Sequence, residues 1–292
     1  MHETWQAKRL CGRTLAARLQ NDWRTRAARV AAARGRPVGL GVLLVGEHAP
    51  SELYVRNKAR AAEAIGLRSF VRRLSAAEPA AAVAAAIAAF NDEPAVDAFL
   101  LQLPLPPHMP AAPLLAAIEP AKDADGLHPH NVGRAASGLG PVPRPCTPLG
   151  CMKLIESAGV SLPGKQAVVI GRSAIVGQPM AQMLGEAHAT VTVCHARTER
   201  LASHVRRAEV LVCAAGVAGL VRGDWLRPGA CVIDVGINRT VDAHGRSTLV
   251  GDVDAAGAAR VAGALTPVPG GVGPMTITML LANAIEAAER RL

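Results

Sequence analysis

Aromatic residues are scarce: three Trp, three Phe and a single Tyr in 292 residues. Sites for single-stranded nucleic acid stack bases on aromatic side chains, so their near-absence argues against such a function. Arginines are scattered along the chain rather than gathered into a basic patch, which argues against a nucleic-acid partner generally. Long apolar runs are missing too. The longest, Ala80 to Phe90 and Val210 to Val221, fall short of the ~20 residues that a membrane-spanning helix needs, so no membrane partner is expected. The six cysteines, Cys11, Cys146, Cys151, Cys194, Cys213 and Cys231, form no C-x-x-C pair and no Cys/His cluster at zinc spacing. They are expected to be small buried hydrophobes of a reducing compartment, and no metal is expected. The segment from Met1 to Thr14 carries Glu3, Lys8, Arg9 and Arg13 with no apolar run, so it does not fit a signal peptide; a cytoplasmic location follows as the expectation.

What is present points to a folded chain with a large core: 50% hydrophobic and 19% charged residues, with 28 Gly and 21 Pro. Two domains are expected from the length. The formal charge of +9 favours anionic partners. Only Lys8, Lys58, Lys122, Lys153 and Lys165 among the 32 basic residues are lysine, so each is a position where an ammonium could be specifically required.

Short apolar runs alternate with longer amphipathic ones, the pattern of an α/β fold with parallel sheets. Strands are predicted at 38–45, 68–74 and 96–101, with helices at 14–33, 51–65 and 79–90. From Leu103 to Pro148 the chain is dense in Pro, Gly and His; it is predicted to be loop with one short helix near 111–118. Alternation then resumes, with a helix at 148–158, strands at 166–170, 190–194, 210–214 and 231–235, and a last helix at 275–290.

The strand at 166–170 runs into Gly171-Arg172-Ser173-Ala174-Ile175-Val176-Gly177, followed by a helix. A glycine at a strand end admits close backbone approach, and the amides of the next helix attract phosphate, so this is a Rossmann-type nucleotide turn. The spacing is Gly-x5-Gly rather than G-x-G-x-x-G, and turn punctuation alone is the alternative. The second strand of this unit ends Cys194-His195-Ala196-Arg197 without the carboxylate that holds a 2′-hydroxyl in NAD sites. Arg172, or Arg197, could meet a 2′-phosphate instead, which favours NADP.

In the first half, Tyr54 and Lys58 stand four apart on a predicted helix and so share a face. They could handle a proton; the plainer alternative is a tyrosine ring covering a lysine stem on the surface. Gln102 lies just past the carboxyl end of a predicted parallel strand, where ligands gather. Asp123 and Asp125 sit in the Pro-rich segment, either of them a solvated loop acid or a ligand contact.

Taken together these blocks resemble the bifunctional methylenetetrahydrofolate dehydrogenase/methenyltetrahydrofolate cyclohydrolase family. The resemblance is carried by Tyr54 with Lys58, by Gln102-Leu103-Pro104-Leu105-Pro106, by Lys122-Asp123-Ala124-Asp125-Gly126, and by Pro145-Cys146-Thr147-Pro148. Gly171-Arg172-Ser173, Asp234-Val235-Gly236-Ile237-Asn238, Gly251-Asp252-Val253 and Thr266-Pro267-Val268-Pro269-Gly270-Gly271 complete it in family order. It implies a two-domain α/β protein: a folate-binding catalytic domain of residues 1–144 plus 275–292, to which the last helix returns, and an NADP-binding Rossmann-type domain of residues 145–274. It implies oxidation of 5,10-methylenetetrahydrofolate with NADP and hydrolysis of the product to 10-formyltetrahydrofolate, in one cleft between the domains of a homodimer. Lys58 would then be the proton shuttle, oriented by Tyr54 and Gln102, with Asp125 gripping the pterin; a lysine does this only if its pKa falls from ~10.4 toward neutrality. Pro269, Gly270 and Gly271 would bound folate and nicotinamide. Gly171, Arg172, Ser173, Thr147 and Ile237 would contact the cofactor, although Ile237 could equally be core. Ala196 replaces a serine frequent in the family, so NADP preference would rest on Arg172. A dehydrogenase lacking the hydrolase or shifted to NAD, and a non-catalytic folate- or NADP-binding protein, are the other readings.

Overall fold

The computed structural model describes residues 6–241 and 245–292. In chain order its main elements are β1 (Lys8–Arg9), α1 (Gly12–Arg34), β2 (Gly39–Val45), α2 (Ala49–Ala64), β3 (Arg68–Leu74), α3 (Ala80–Asp92), β4 (Ala98–Leu101), α4 (Ala111–Ala116) and α5 (Pro129–Ala136). They continue with α6 (Cys146–Ala158), β5 (Gln166–Ile170), α7 (Gly177–Glu186), β6 (Thr190–Cys194), α8 (Leu201–Val205), β7 (Val210–Cys213), β8 (Cys231–Asp234), β9 (Asn238–Val241), β10 (Ser247–Val250), α9 (Ala255–Ala259), β11 (Ala264–Leu265) and α10 (Val272–Glu289). The chain divides into two compact units, one of residues 17–146 with 277–292 and one of residues 6–16 with 147–276.

The first unit is built on a three-stranded parallel sheet in the order β3-β2-β4. Its central strand reads Gly-Leu-Gly-Val-Leu-Leu-Val and is buried throughout, as a parallel strand covered on both faces must be. Leu43, Val45, Val83, Ile87, Phe99 and Leu101 form a core between sheet and α3. Lys122 closes the far end of α3, its ammonium donating to the carbonyls of Phe90 (3.0 Å) and Glu93 (2.9 Å).

Buried Asp97 ties three segments of this unit together. Its carboxylate accepts from Arg34, from Arg36 at 2.8 Å through two bonds, and from the Gly39 amide at 2.8 Å. Burial alone would raise its pKa, but Arg36, the Gly39 N–H and Arg34 outweigh it and hold the carboxyl below its usual range. A depressed pKa means that the stabilisation is complete above the unfolded-state value of about 4 and is lost as pH falls through the folded value. Asp97→Asn is expected to lower stability at pH 7 by ~3 kcal/mol or more, because two arginines lose a buried partner. Urea midpoints of wild type and variant should begin to approach one another below about pH 4 and converge only once pH has fallen through the folded-state value; a gap that does not narrow as pH falls below about 4 would contradict the assignment.

The second unit carries a six-stranded, wholly parallel sheet in the order β1-β11-β8-β7-β5-β6. Residues 6–16, which the boundaries drawn with the family resemblance assign to the first domain, pack here because Lys8–Arg9 pair with Ala264–Leu265. Lys8 also caps α6 through the carbonyls of Ser157 (2.8 Å) and Ala158 (3.3 Å). From β5 the chain steps to β6 on one side and to β7 on the other, so a topological switch point lies between the carboxyl ends of β5 and β7.

Strands β3, β5 and β6 fall where sequence alternation predicts them, and the other predicted elements shift by one to three residues at their ends. Helix α5 occupies a stretch predicted to be loop; Pro129 stands in its first turn and the His128 side chain caps it by accepting from His130 N–H. The antiparallel β9–β10 hairpin was not anticipated either. All six cysteines are free, and all but Cys11 are buried. No helix of the described residues is long and apolar enough to cross a membrane.

Candidate active site

Helix α2 starts after His48 with Pro50 in its first turn. Its buried residues are Ser51, Val55, Lys58 and Ala62, an i, i+4, i+7, i+11 stripe that faces the protein. Lys58 therefore occupies a core-facing position and is only 4% exposed. This rules out the surface arrangement left open by spacing alone. Its ammonium donates to Gln102 Oε1 at 3.0 Å, and the Gln102 Nε2 is itself committed to the Leu103 carbonyl at 2.7 Å, which fixes the amide with oxygen toward the lysine. The Tyr54 ring lies one turn earlier, with Lys58 Nζ 5.8 Å from its centroid. Burial, followed by the Asp125 charge, raises the Tyr54 phenol above its ordinary pKa. Tyr54, Lys58, Gln102 and Asp125 thus gather at one place in the first unit.

The two loop acids, which spacing and composition alone do not distinguish, have different environments. Asp123 is buried and accepts from the amides of Gly126 (2.9 Å), Leu127 (3.2 Å) and His128 (2.8 Å) and from Asn131 Nδ2 (3.0 Å). It shapes the loop. Asp125 is half-buried and faces the Tyr54 and Cys146 side chains.

In the second unit Gly171 follows β5 at the switch point. Its φ is +116°, and a Cβ there would lie 2.2 Å from the Ala214 carbonyl oxygen at the end of β7. Only glycine fits. Ser173 Oγ accepts from Val176 N–H at 3.2 Å and Gly177 N–H at 3.4 Å, capping the start of α7, while Arg172 and Ser173 are exposed. The Gly171 amide donates to Cys194 O at 2.8 Å, which sets this turn beside the end of β6; Arg197, a little further on, is exposed. Thr147, in the first turn of α6, shares a 3.0 Å hydrogen bond with Thr276. Ile237 is 56% exposed, so it is not core. Gly270 has φ +104° and its carbonyl accepts from Arg13 N–H at 3.3 Å, which holds the Pro269-Gly270-Gly271 loop against the start of α1.

Two carboxylates that sequence left without a role organise the loops beyond β7 and β8. Asp252 accepts from the consecutive amides of Ala215 (2.6 Å), Gly216 (3.0 Å) and Val217 (3.0 Å), and from Asn238 Nδ2 (2.9 Å). Asp234 accepts from the amides of Gly236 (3.0 Å), Asp252 (2.9 Å) and Val253 (3.0 Å). Burial, reinforced by the neighbouring Asp252 charge, lifts Asp234 to about 6 against those three bonds.

Comparison with known proteins identifies the family and its two domains. Residues 10–125 match the catalytic domain of tetrahydrofolate dehydrogenase/cyclohydrolase, and residues 145–292 match its NAD(P)-binding domain. The bifunctional protein FolD 2 of Bordetella pertussis is 53% identical over 285 residues, covering 98% of this chain and 99% of that protein. The crystal structure of the bifunctional enzyme FolD from Campylobacter jejuni superposes with a TM-score of 0.93 at 42% identity, covering 98% of this chain and 100% of that one. The Trypanosoma brucei enzyme, solved with NADP cofactor and an inhibitor, gives 0.93 at 40% identity and covers 98% of each chain. With a buried lysine–glutamine pair in one unit, a switch-point glycine turn in the other, and relatives of this identity along nearly its whole length, the chain belongs to the tetrahydrofolate dehydrogenase/cyclohydrolase family.

Proposed function

We propose that this protein oxidises 5,10-methylenetetrahydrofolate to 5,10-methenyltetrahydrofolate with NADP and hydrolyses that product to 10-formyltetrahydrofolate. The observation that carries the hydrolase is the core-facing Lys58 ammonium, 3.0 Å from the fixed Gln102 oxygen. In the hydrolysis, water adds to the cationic one-carbon bridge; one of its protons ends on N5 as the ring opens and the other leaves. Lys58 is assigned the transfer of those protons, Gln102 and Tyr54 the orientation of its Nζ, and Asp125 the grip on the donor edge of the pterin.

The oxidation asks mainly for positioning, since the folate nitrogens stabilise the developing cation. The switch-point turn fits NADP: it presents a cradle that a single Cβ would fill, beside the start of a helix. Gly171, Arg172, Ser173, Thr147 and Ile237 are assigned to hold it, with Arg172 toward the 2′-phosphate, and Pro269, Gly270 and Gly271 to bound the reacting groups. NADP supplies the hydride acceptor. Folate chemistry is accordingly assigned to residues 17–146 with 277–292, and cofactor binding to residues 147–276.

Absorbance assays with methylenetetrahydrofolate and NADP or NAD, and with methenyltetrahydrofolate alone, test this. Both reactions are expected, with NADP preferred; no reduction of either nucleotide would overturn the dehydrogenase. Gly171→Ala is expected to raise the KM for NADP by ~10-fold or more while methenyl hydrolysis per folded enzyme stays near wild type, because the strain is confined to the cofactor turn. Equal loss of both activities would refute that division.

A cytoplasmic location is supported by the six free thiols, and a homodimer by the family resemblance. Light scattering in dilute solution should give twice the chain mass.

A further inference from the structure

Helix α10 is apolar where it is buried, with Leu280, Leu281, Ala284 and Ile285 all inaccessible, yet it carries Asn283 among them at 4% exposure. A carboxamide in such surroundings costs stability unless its hydrogens are paired. Asn283 Nδ2 donates to the carbonyls of Ala124 at 2.9 Å and Arg144 at 3.0 Å, with Cys146 Sγ at 3.5 Å. The Cys146 thiol donates to the same Ala124 carbonyl at 3.3 Å. The segments so joined touch backbone to backbone: a Cβ on Gly126 would lie 2.2 Å from the Arg144 carbonyl carbon. Ala124 immediately precedes Asp125, and the Asp123 carboxylate grips Gly126, Leu127 and His128 just beyond it. Asp125 is pinned on both sides.

We infer that Asn283 and Cys146 are positioning residues for folate binding: their side chains lock the Ala124 carbonyl and so aim the Asp125 carboxylate. The inference rests on the assignment of Asp125 to the pterin. Asn283→Leu keeps the volume and removes both donors. It is expected to raise the KM for methylenetetrahydrofolate by ~10-fold, about the worth of one or two buried hydrogen bonds, with the KM for NADP within twofold of wild type and kcat within threefold. In an Asp125→Asn background the same change should add less than ~twofold, since both act through one carboxylate. A full-sized effect in that background, or an equal rise in the NADP KM, overturns the clamp. A wild-type folate KM in Asp125→Asn alone overturns the Asp125 assignment itself. Should Asn283→Leu fail to fold, Cys146→Ala and Cys146→Ser provide the test. Serine keeps a donor to Ala124 and should hold the folate KM near wild type, whereas alanine raises it; identical KM values for the two overturn the inference.

Discussion

Replacing Lys58 by arginine is expected to cut methenyltetrahydrofolate hydrolysis by ~10²–10³-fold while NADP-dependent oxidation falls by less than ~10-fold. The change keeps the charge and lengthens the side chain only slightly, so on charge alone it would be mild. Two features make it severe. A guanidinium stays protonated in proteins, so it can neither take a proton from water nor return one to N5. Lys58 also sits on the buried stripe of α2 with Ser51, Val55 and Ala62, where a planar fork cannot replace a single ammonium facing Gln102 Oε1. Lys58→Met, which retains the stem and removes the nitrogen, should lose hydrolysis to the same extent. Agreement of the two variants separates proton transfer from charge stabilisation: were the positive charge the active property, arginine would retain activity and methionine would not. Near-normal hydrolysis in Lys58→Arg would therefore end the shuttle assignment, whatever methionine does.

What could be read from sequence at this site, and what could not, follows from the range of the interactions. The four-residue spacing of Tyr54 and Lys58 is local and places both on one helix face; the burial of that face depends on how α2 packs on its sheet, which spacing does not encode. Gln102 was legible because a strand end in a parallel sheet is a ligand position whatever its neighbours. Local pattern does not separate Asp123 from Asp125, and only the resemblance singles out Asp125, because Asp123 is distinguished by the amides of residues 126–128 and the Asn131 side chain folding back onto it. The scarcity of lysine marks positions that use a compact ammonium, in two cases for structure and in one for the proposed chemistry. Lys8 and Lys122 each satisfy two helix-end carbonyls with one compact ammonium, a structural use, and Lys58 alone of the buried ones faces the proposed chemistry. Helix α5 escaped detection because its Pro, His and Gly content matches loop composition, although His128-Pro129 is a helix-start signal of the same kind as His48 before Pro50 in α2.

Asp252→Asn is expected to destabilise the cofactor-binding unit by ~3–5 kcal/mol and to weaken NADP binding in the fraction that folds. All four partners of this buried carboxylate are donors: the amides of Ala215, Gly216 and Val217 and the Asn238 side chain. A carboxamide offers one acceptor oxygen and one NH₂, so either orientation sets N–H against N–H on one side. Ala215 to Val217 continue β7 past the point where Ala214 meets Gly171, and Asn238 follows Ile237. Loss of the carboxylate therefore loosens the loop after β7, which meets the proposed cofactor turn at Gly171, and the segment that carries Ile237, so the rise in NADP KM should exceed any rise in folate KM. Asn238→Ala removes one donor and leaves the carboxylate, so it should cost only ~1 kcal/mol and change NADP affinity little. Urea denaturation and nucleotide titration of the two variants measure both effects. A stability loss in Asp252→Asn no larger than in Asn238→Ala would show that the backbone amides are satisfied without the carboxylate, and that something else holds these loops.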